Sequence, residues 1–388
     1  MPTAEPHILR ASTSADFLAS VPAICGFTAR NSVVVVPFAG KQGRGAFRFD
    51  LPVDDRTATT AALAKSIPEF VRRMPGTDGV AVIVYTDGTF AERRGTPHLE
   101  LWRAIRPRLR KAGFAIKEAA VVAADGWASY LDPGRPLGGR PLDEITGSRM
   151  ALEAAYHVDR IADLHAWSSL PDPDPRIAQH VAVAIDDLVY YDERLDAFGV
   201  AHPYTPDPIS LAERMLSAPA HELGIDALAE IVVTCDAPAL RDVLLIALAG
   251  GRERGENALR FQLDAYDRQA ATGESFDEQA LADIGNRPDD DDLIMVGRSQ
   301  FRPNAKHLEA SIEALRRAAA HAPRPRRAGP LCVLAWMLWA RGLMSPASQM
   351  QALAYECDPD LRMVETIEWL LSSGPPEWGY RVATDVQS

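Results

Sequence analysis

The segment from Gly79 to Gly88, GVAVIVYTDG, is the feature that most restricts how this chain can fold. Its residues from Val80 to Val84 are apolar without interruption and mostly β-branched. A strand needs such a run when both of its faces are covered, as in the middle of a sheet with helices above and below. The polar turn that follows would lie at the edge where open α/β sheets bind ligands. The sequence therefore predicts a ligand crevice at this edge, without specifying its chemistry.

Other segments of the first third supply partners for this strand. Val33–Val36 is a second fully apolar strand, and Phe47–Leu51 alternates apolar with polar residues, which is typical of an antiparallel strand nearer the sheet edge. Helical spacing occurs over Leu63–Met74 and Leu99–Leu109, and Ala119–Ala124 predicts the last strand. The order β-β-α-β-α-β predicts an α/β domain with three layers and a mostly parallel sheet.

The domain organisation follows from length and from one boundary. A chain of 388 residues exceeds the size of most single cores, which favours two domains. The stretch Asp132–Pro141 is dense in glycine and proline, so we predict an α/β domain over 1–141 and an all-α domain over 142–388. Residues 335–359 resemble one tetratricopeptide-like helix pair, which would suit a peptide or a partner helix. The alternative is a helix pair packed on its own domain, since no clear second copy follows.

Charge, cysteine content and hydrophobicity indicate which partners and which cellular compartment to expect. The formal net charge of −12 opposes phosphate backbones and anionic membranes, so neither nucleic-acid binding nor a membrane location is expected. The four cysteines are scattered without a C-x-x-C pair, which favours buried thiols in a reducing cytoplasm. The N-terminus does not have the pattern of a signal peptide. The most apolar window, Leu331–Ala340, is about half as long as a bilayer crossing requires.

Two carboxylates are the first candidates for chemistry. Asp87 and Asp125 each follow a predicted strand, and parallel strands would bring them to one edge, where they could hold Mg²⁺ for phosphate chemistry. Arg48 or Arg94 would supply the phosphate-binding cation, and Tyr85 would line the same crevice. The alternative is that each aspartate caps the turn after it. The chain contains no Gly-rich phosphate-loop motif, so the magnesium is an open hypothesis.

The residues after Asp125 extend this candidate crevice. Trp127 and Tyr130 could stack on a flat ligand, but such rings more often close a core while their polar atoms bond the backbone. Ser129 is included for its position alone, because it lacks the G-x-S-x-G context of a nucleophile.

Histidine and arginine patterns give weaker signals. His157 and His165 lie eight residues apart on one predicted helix, and His221-Glu222 lacks the second histidine of H-E-x-x-H, so metal binding is not expected at either place. A third pattern is a basic helix face that could contact a phosphate or an acidic partner, with a solvated outer face as the alternative. Its residues are Arg103, Arg106, Arg108, Arg110 and Lys111.

Several of these segments together resemble a known bacterial family. They are Ala15–Leu18, Val21-Pro22, Gly26-Phe27, Ser32–Val35, Val82–Asp87, Asp125–Tyr130, Ala239–Leu244 and Leu331–Trp336. The combination resembles the domain of unknown function 4192 family, in which the second hallmark often contains Trp-Trp-Ser-Tyr and here has Ala128 in place of the second tryptophan. The resemblance implies an actinobacterial origin and a two-part structure. It implies no activity, so it assigns no catalytic residue.

Two hypotheses about function remain at this stage. The first is a non-enzymatic interaction or regulatory protein, with the helical half as scaffold and the sheet edge as ligand sensor. The second is a magnesium-dependent enzyme that acts on a nucleotide or another phosphate ester near Asp87 and Asp125. Convergence of both carboxylates and a basic side chain on one site would favour the enzyme, and separate turns would favour the binding protein.

Overall fold

The computed structural model describes residues 11–25, 28–52, 57–93, 95–157, 167–196, 206–274 and 291–381. Its contacts divide the chain into two compact units, Met1–Leu164 with Tyr380–Ser388, and His165–Gly379. The boundary inferred near residue 141 remains a prediction about domain organisation, and the division by contacts falls between residues 164 and 165.

The first unit is built on one mixed sheet. Its strands run in the order β2-β1-β4-β5-β6, and β3 also pairs with β1. The strands are β1 (Ser32–Ala39), β2 (Gln42–Gly43), β3 (Phe47–Asp50), β4 (Gly79–Tyr85), β5 (Ala115–Ala123) and β6 (Gly126–Ser129). The helices are α1 (Ser14–Cys25), α2 (Thr57–Arg72), α3 (Phe90–Arg93), α4 (Leu99–Lys111), α5 (Asp143–Thr146) and α6 (Arg149–His157). The predicted central strand is confirmed, since Gly79–Val84 is buried along its length.

The prediction of a mostly parallel sheet is wrong. Only β4 and β5 run parallel, whereas β1 is antiparallel to β2, β3 and β4, and β6 is antiparallel to β5. The apolar run Val33–Val36 reports that both faces of β1 are covered, and this burial is compatible with either strand direction. The segment after Ala123 also differs from the expectation, because it turns through Ala124-Asp125 and returns as the edge strand β6.

One face of the sheet forms a core with two helices. On one face, alternate strand residues such as Val82 and Val121 share a core with Ile67 of α2 and with Trp102 and Ile105 of α4. Helix α1 contacts strand residues that are not part of this core, namely Glu118 and Phe38. Ser14 donates to the Glu118 carboxylate at 2.5 Å, and the rings of Phe17 and Phe38 lie 6.0 Å apart. The three-layer description remains a prediction.

In the described residues of the second unit, the regular elements are all helical, in agreement with the predicted helical half. They are α7 (Pro175–Asp196), α8 (Pro208–Ser217), α9 (Ile225–Asp236), α10 (Pro238–Gly250), α11 (Arg252–Thr272), α12 (Asp291–Met295), α13 (Ala305–His321), α14 (Ala328–Ala340), α15 (Met344–Cys357) and α16 (Arg362–Ser373), and α17 (Glu377–Tyr380) follows at the junction of the two units. Two short 3₁₀ turns lie at Ala220–Glu222 and Arg324–Arg326.

Helix α14 is the centre of the second unit, since all of its residues are buried. Its two indoles satisfy their N–H groups with backbone carbonyls: Trp336 Nε1 donates to Met295 and Trp339 Nε1 donates to Gly374, both at 2.9 Å. Helix α15 packs directly against α14, and α16 packs against both. Among the described helices, none is both long and apolar enough to cross a bilayer.

Candidate functional site

The polar loop after β4 lies beside the end of β5. The Thr86 amide donates to the Val122 carbonyl at 3.0 Å, and the Ala124 amide donates to the Gly88 carbonyl at 3.2 Å. Because β4 and β5 are parallel, Asp87 and Asp125 follow strand ends at the same edge of the sheet. The start of β1 reaches this edge as well, since Ser32 pairs with Tyr85.

Asp87 is held by the residue that precedes β1. Asn31 accepts a hydrogen bond from the Asp87 amide at 2.9 Å, and its Nδ2 donates to the Asp87 carboxylate at 2.7 Å. The guanidinium of Arg30 lies 3.5 Å from the other carboxylate oxygen. Both charged side chains remain accessible, with 63% of Arg30 and 57% of Asp87 exposed. The pair therefore presents an anion and a cation to solvent at this edge.

Two residues at this edge adopt the left-handed backbone conformation. Asn31 has φ 41° and His98 has φ 53°, and they are the two non-glycine residues with positive φ in the described chain. Asparagine tolerates this region better than most residues, and such outliers concentrate at functional sites. His98 precedes α4, and its Nε2 lies 3.3 Å from Thr86 Oγ1. Both residues thus direct polar side chains at the Thr86-Asp87 dipeptide. We call Asn31, Thr86, Asp87 and His98 the carboxyl-edge site.

Asp125 has a different set of partners. Its two carboxylate oxygens accept the amides of Phe90 and Ala91, at 2.9 and 3.4 Å, at the start of α3. These amides lie 34 and 35 residues before Asp125, so the bonds differ from the alternative in which each aspartate caps the turn after it. Arg48 forms an ion pair with Asp50 at 2.8 Å. The predicted cation Arg94 lies outside the described residues. Asp87, Asp125 and Arg48 therefore each bond to a different neighbour.

The hallmark that follows Asp125 is used for packing and hydrogen bonding. Trp127 is buried on β6, and the Arg140 guanidinium lies 5.7 Å from its ring centroid. Tyr130 stacks on Trp102 with ring centroids 5.9 Å apart, and its hydroxyl donates to the Pro97 carbonyl at 2.8 Å. Burial raises the pKa of the Tyr130 phenol, against a smaller lowering by Arg135. Such contacts are those of rings that close a core.

Ser129 and Tyr85 complete the set of predicted crevice residues. Ser129 donates to the Glu118 carboxylate at 2.7 Å and accepts the Leu131 amide at 3.2 Å. Tyr85 ends β4 and is half-buried, and burial raises the pKa of its phenol, with a further contribution from Cys25. Of the seven predicted crevice residues, Asp87 is thus the one that belongs to the carboxyl-edge site. The crevice itself remains a prediction.

Sequence reasoning did not select Asn31, Thr86 or His98. The sequence signal for Asn31 was weak, namely an asparagine, which tolerates the left-handed region, directly before an apolar strand. The sequence around His98 contains no signal for a site residue. The histidine patterns of the sequence add no site residue within the described chain. His221 lies 3.8 Å from Glu222 and both are exposed, and residues 158–166, with His165, lie outside the described chain. Within the described residues, no three histidine, cysteine or carboxylate side chains form a group that could hold a metal ion.

Comparison with known proteins gives one positive result. The family described as Domain of unknown function (DUF4192) matches residues 15–275, about two thirds of the chain. The chain belongs to this family. The match includes Asn31, Thr86, Asp87, His98 and the 125–130 hallmark, and it continues into the second unit. It ends before Leu331–Trp336, so that part of the resemblance remains a prediction. No curated protein and no solved structure matches the chain.

Proposed function

We propose that this protein is a non-enzymatic interaction or regulatory protein that binds a small polar ligand at the carboxyl-edge site. The observation that carries the proposal is the pair of left-handed residues, Asn31 and His98, whose side chains converge on Thr86-Asp87. Each such conformation is unfavourable, by about 1 kcal/mol or more outside glycine. Two of them at one edge, both bonded to Thr86-Asp87, support a preset geometry for binding there.

The groups at this edge also suggest the class of ligand. Arg30 offers guanidinium donors, Asp87 offers carboxylate acceptors, and the Thr86 hydroxyl can do either. A ligand with both hydrogen-bond donors and an anionic group matches this combination. Nucleotides have both, nucleosides have the donors alone, and the carboxyl edge of parallel strands is where α/β folds bind nucleotides.

The alternative, a magnesium-dependent enzyme acting on a phosphate ester, has less support. It requires Asp87 and Asp125 to share one metal ion. The Asp125 carboxylate instead accepts the Phe90 and Ala91 amides, and the Asp87 carboxylate accepts the Asn31 amide. These bonds would have to be exchanged for metal coordination, which a binding protein does not need.

Thermal unfolding against a panel of nucleosides and nucleotides, each with and without Mg²⁺, tests both functions. A ligand that binds only the folded state at about a hundred times its Kd should add roughly 2.7 kcal/mol of stability. We expect a magnesium-independent shift that is lost in Asp87→Ala. The matched control is Asp78→Ala, because Asp78 precedes the opposite end of β4 and also bonds a loop amide, that of Gly40 at 2.9 Å.

The outcomes separate the alternatives. A shift that requires Mg²⁺ and is lost in both Asp87→Ala and Asp125→Ala would favour the enzyme. A shift that survives Asp87→Ala would place the ligand elsewhere. A panel without any shift would remove nucleosides and nucleotides as the ligand class and leave the helical unit as the functional part.

The helical unit is the proposed scaffold for a protein or peptide partner. Support comes from two exposed aromatic side chains, Tyr355 on α15 and Trp369 on α16, with 57% and 47% of their surface accessible. Exposed aromatic rings are enriched at protein interfaces. The likeness of α14 and α15 to a tetratricopeptide pair remains part of this proposal. Peptides selected against the intact protein should lose binding to a Tyr355→Ser, Trp369→Ser variant, and retained binding would refute this surface.

A cytoplasmic location and an actinobacterial origin belong to the same proposal. The four cysteines are free thiols, and Cys235 and Cys332 are fully buried, as expected in a reducing compartment. Localisation of a fluorescently tagged chain in its host would test the compartment.

A further inference from the structure

Helix α4 concentrates positive charge on one short element. Its sequence, LELWRAIRPRLRK, contains five cations against one carboxylate, Glu100, in a protein of formal net charge −12. The apolar side of the helix is buried through Leu101, Trp102, Ile105 and Leu109. The cations therefore project from the opposite, exposed side. They are Arg103, Arg106, Arg108, Arg110 and Lys111.

Three of these cations form a stripe along the helix. Arg103, Arg106 and Arg110 are spaced at i, i+3 and i+7, which places them on one face, with Cα positions about 4.5 and 10.5 Å along the axis from the first. Arg103 pairs with Glu100 of its own helix at 2.5 Å. Within the described chain, Arg106 and Arg110 have no ion-pair partner. The stripe thus keeps most of its charge available.

The chemistry of the stripe indicates what it binds. Guanidinium groups present a planar fork that pairs with carboxylates in a bidentate manner, and four of the five cations are arginines. The helix dipole favours the cations of the last turn, Arg108, Arg110 and Lys111. It does not account for Arg103 and Arg106, which lie earlier in the helix and, as closely spaced like charges, disfavour it by a few tenths of a kcal/mol per pair. We propose that the exposed face of α4 is a docking surface for a short acidic segment of a partner protein.

A polypeptide fits this surface better than a nucleic acid does. Helix α4 is 13 residues long and spans about 20 Å, and a short acidic segment can match that length. A long phosphate polymer would extend past the helix onto a molecule whose remaining charge repels it. The stripe also lacks aromatic residues, on which nucleic-acid bases would stack, since the one aromatic residue of α4, Trp102, is buried.

The test measures binding of a fluorescently labelled 13-residue oligoglutamate peptide to the intact chain by anisotropy. We expect binding that weakens as salt increases, because exposed charge pairs are screened. Replacing the stripe by Arg103→Glu, Arg106→Glu and Arg110→Glu should raise the Kd at least about ten-fold, as expected for three lost ion pairs at a surface. Circular dichroism should show that the variant retains its helical content.

A matched control distinguishes the stripe from net charge. Arg176, Arg260 and Arg298 are exposed arginines of the second unit, and replacing all three by glutamate changes the net charge equally. This control should bind the peptide within about two-fold of the unmodified chain. Equal losses in the two triple variants would refute a local docking surface, as would failure of the unmodified chain to bind. Tighter binding of a DNA duplex than of the peptide, lost in the stripe variant, would overturn the assignment in favour of nucleic acid.

Discussion

At the scale of single residues, Asn31 makes more hydrogen bonds than its position directly before a strand suggests. Its side chain makes two hydrogen bonds with Asp87, and its own carbonyl accepts the Leu51 amide at 2.9 Å. It does so in a conformation that a residue with a Cβ adopts at a cost. Substitutions of Asn31 can separate the energetic effect of its hydrogen bonds from that of its backbone conformation.

We predict that Asn31→Ala destabilises the first unit by about 1–3 kcal/mol, because it loses both hydrogen bonds and keeps a Cβ in the left-handed region. Asn31→Gly loses the same bonds but adopts this region freely, so it should be less destabilising. Urea unfolding of the two variants measures the difference. A glycine variant less stable than the alanine variant would contradict a role for backbone conformation.

Asp236, at the end of α9, is a second residue whose surroundings have a measurable consequence. Burial raises the pKa of its carboxyl to about 6, against the opposing effect of Arg326, whose guanidinium lies 3.4 Å away. In the unfolded chain the carboxyl would ionise near its ordinary pKa of about 3.9. Between these values the folded state holds the proton that the unfolded state has released. The contribution of Asp236 to stability therefore falls as pH rises from about 4 to about 6.

We predict that Asp236→Asn gains stability relative to the unmodified chain over this pH window. The difference should be near zero at pH 4 and grow to at most about 3 kcal/mol above pH 6.5, because asparagine mimics the protonated acid. Denaturant unfolding at several pH values measures this difference. A difference that does not depend on pH would show that the Asp236 carboxyl titrates alike in both states.

At the scale of elements, the β5–β6 hairpin explains the 125–130 hallmark. Asp125 caps α3, Trp127 exchanges backbone hydrogen bonds with Arg140, Ser129 binds the Glu118 carboxylate and Tyr130 reaches Pro97. Each residue thus fixes β6 to a different neighbour. Position 126 requires glycine, because a Cβ there would lie 2.9 Å from the Arg140 carbonyl oxygen and 3.3 Å from the Gly138 carbonyl oxygen.

We predict that Gly126→Ala destabilises the first unit by about 1–3 kcal/mol, since the methyl group meets backbone atoms that cannot move independently. The matched control is Gly95→Ala, where no atom of the described chain, apart from the adjacent residues, lies within 4 Å of the new methyl group. Thermal unfolding of both variants makes the comparison. Equal melting temperatures would contradict the close approach of β6 to residues 138–140.

At the scale of the whole molecule, the position of the domain boundary remains to be measured. The glycine- and proline-rich stretch predicts an end at residue 141, whereas contacts place residues up to Leu164 in the first unit. Helices α5 and α6 lie between these two limits, and both pack against α1. A chain that ends at 141 would expose the part of α1 that they cover.

We predict that a fragment of residues 1–164 unfolds more cooperatively, and at a higher temperature, than a fragment of residues 1–141. The reason is that α1 carries buried Leu18 and Val21, and loss of α5 and α6 leaves it with fewer apolar contacts. Circular dichroism melts of both fragments provide the test. Identical melts would support the boundary at 141.

The sequence by itself determined the buried strand β4, the helical second half and the membership of the family. The strand and the helices follow from local composition and periodicity, which report whether a segment is buried on one face or on both. The family follows from the resemblance of several short motifs and from the match over residues 15–275. The tertiary structure decided the direction of β1, the return of the chain as β6, and the meeting of Asn31 and His98 at Thr86-Asp87. An apolar run buries equally well in a parallel and in an antiparallel sheet. Contacts between residues more than 50 positions apart, such as Asn31 and Asp87, are created only when the strands pair.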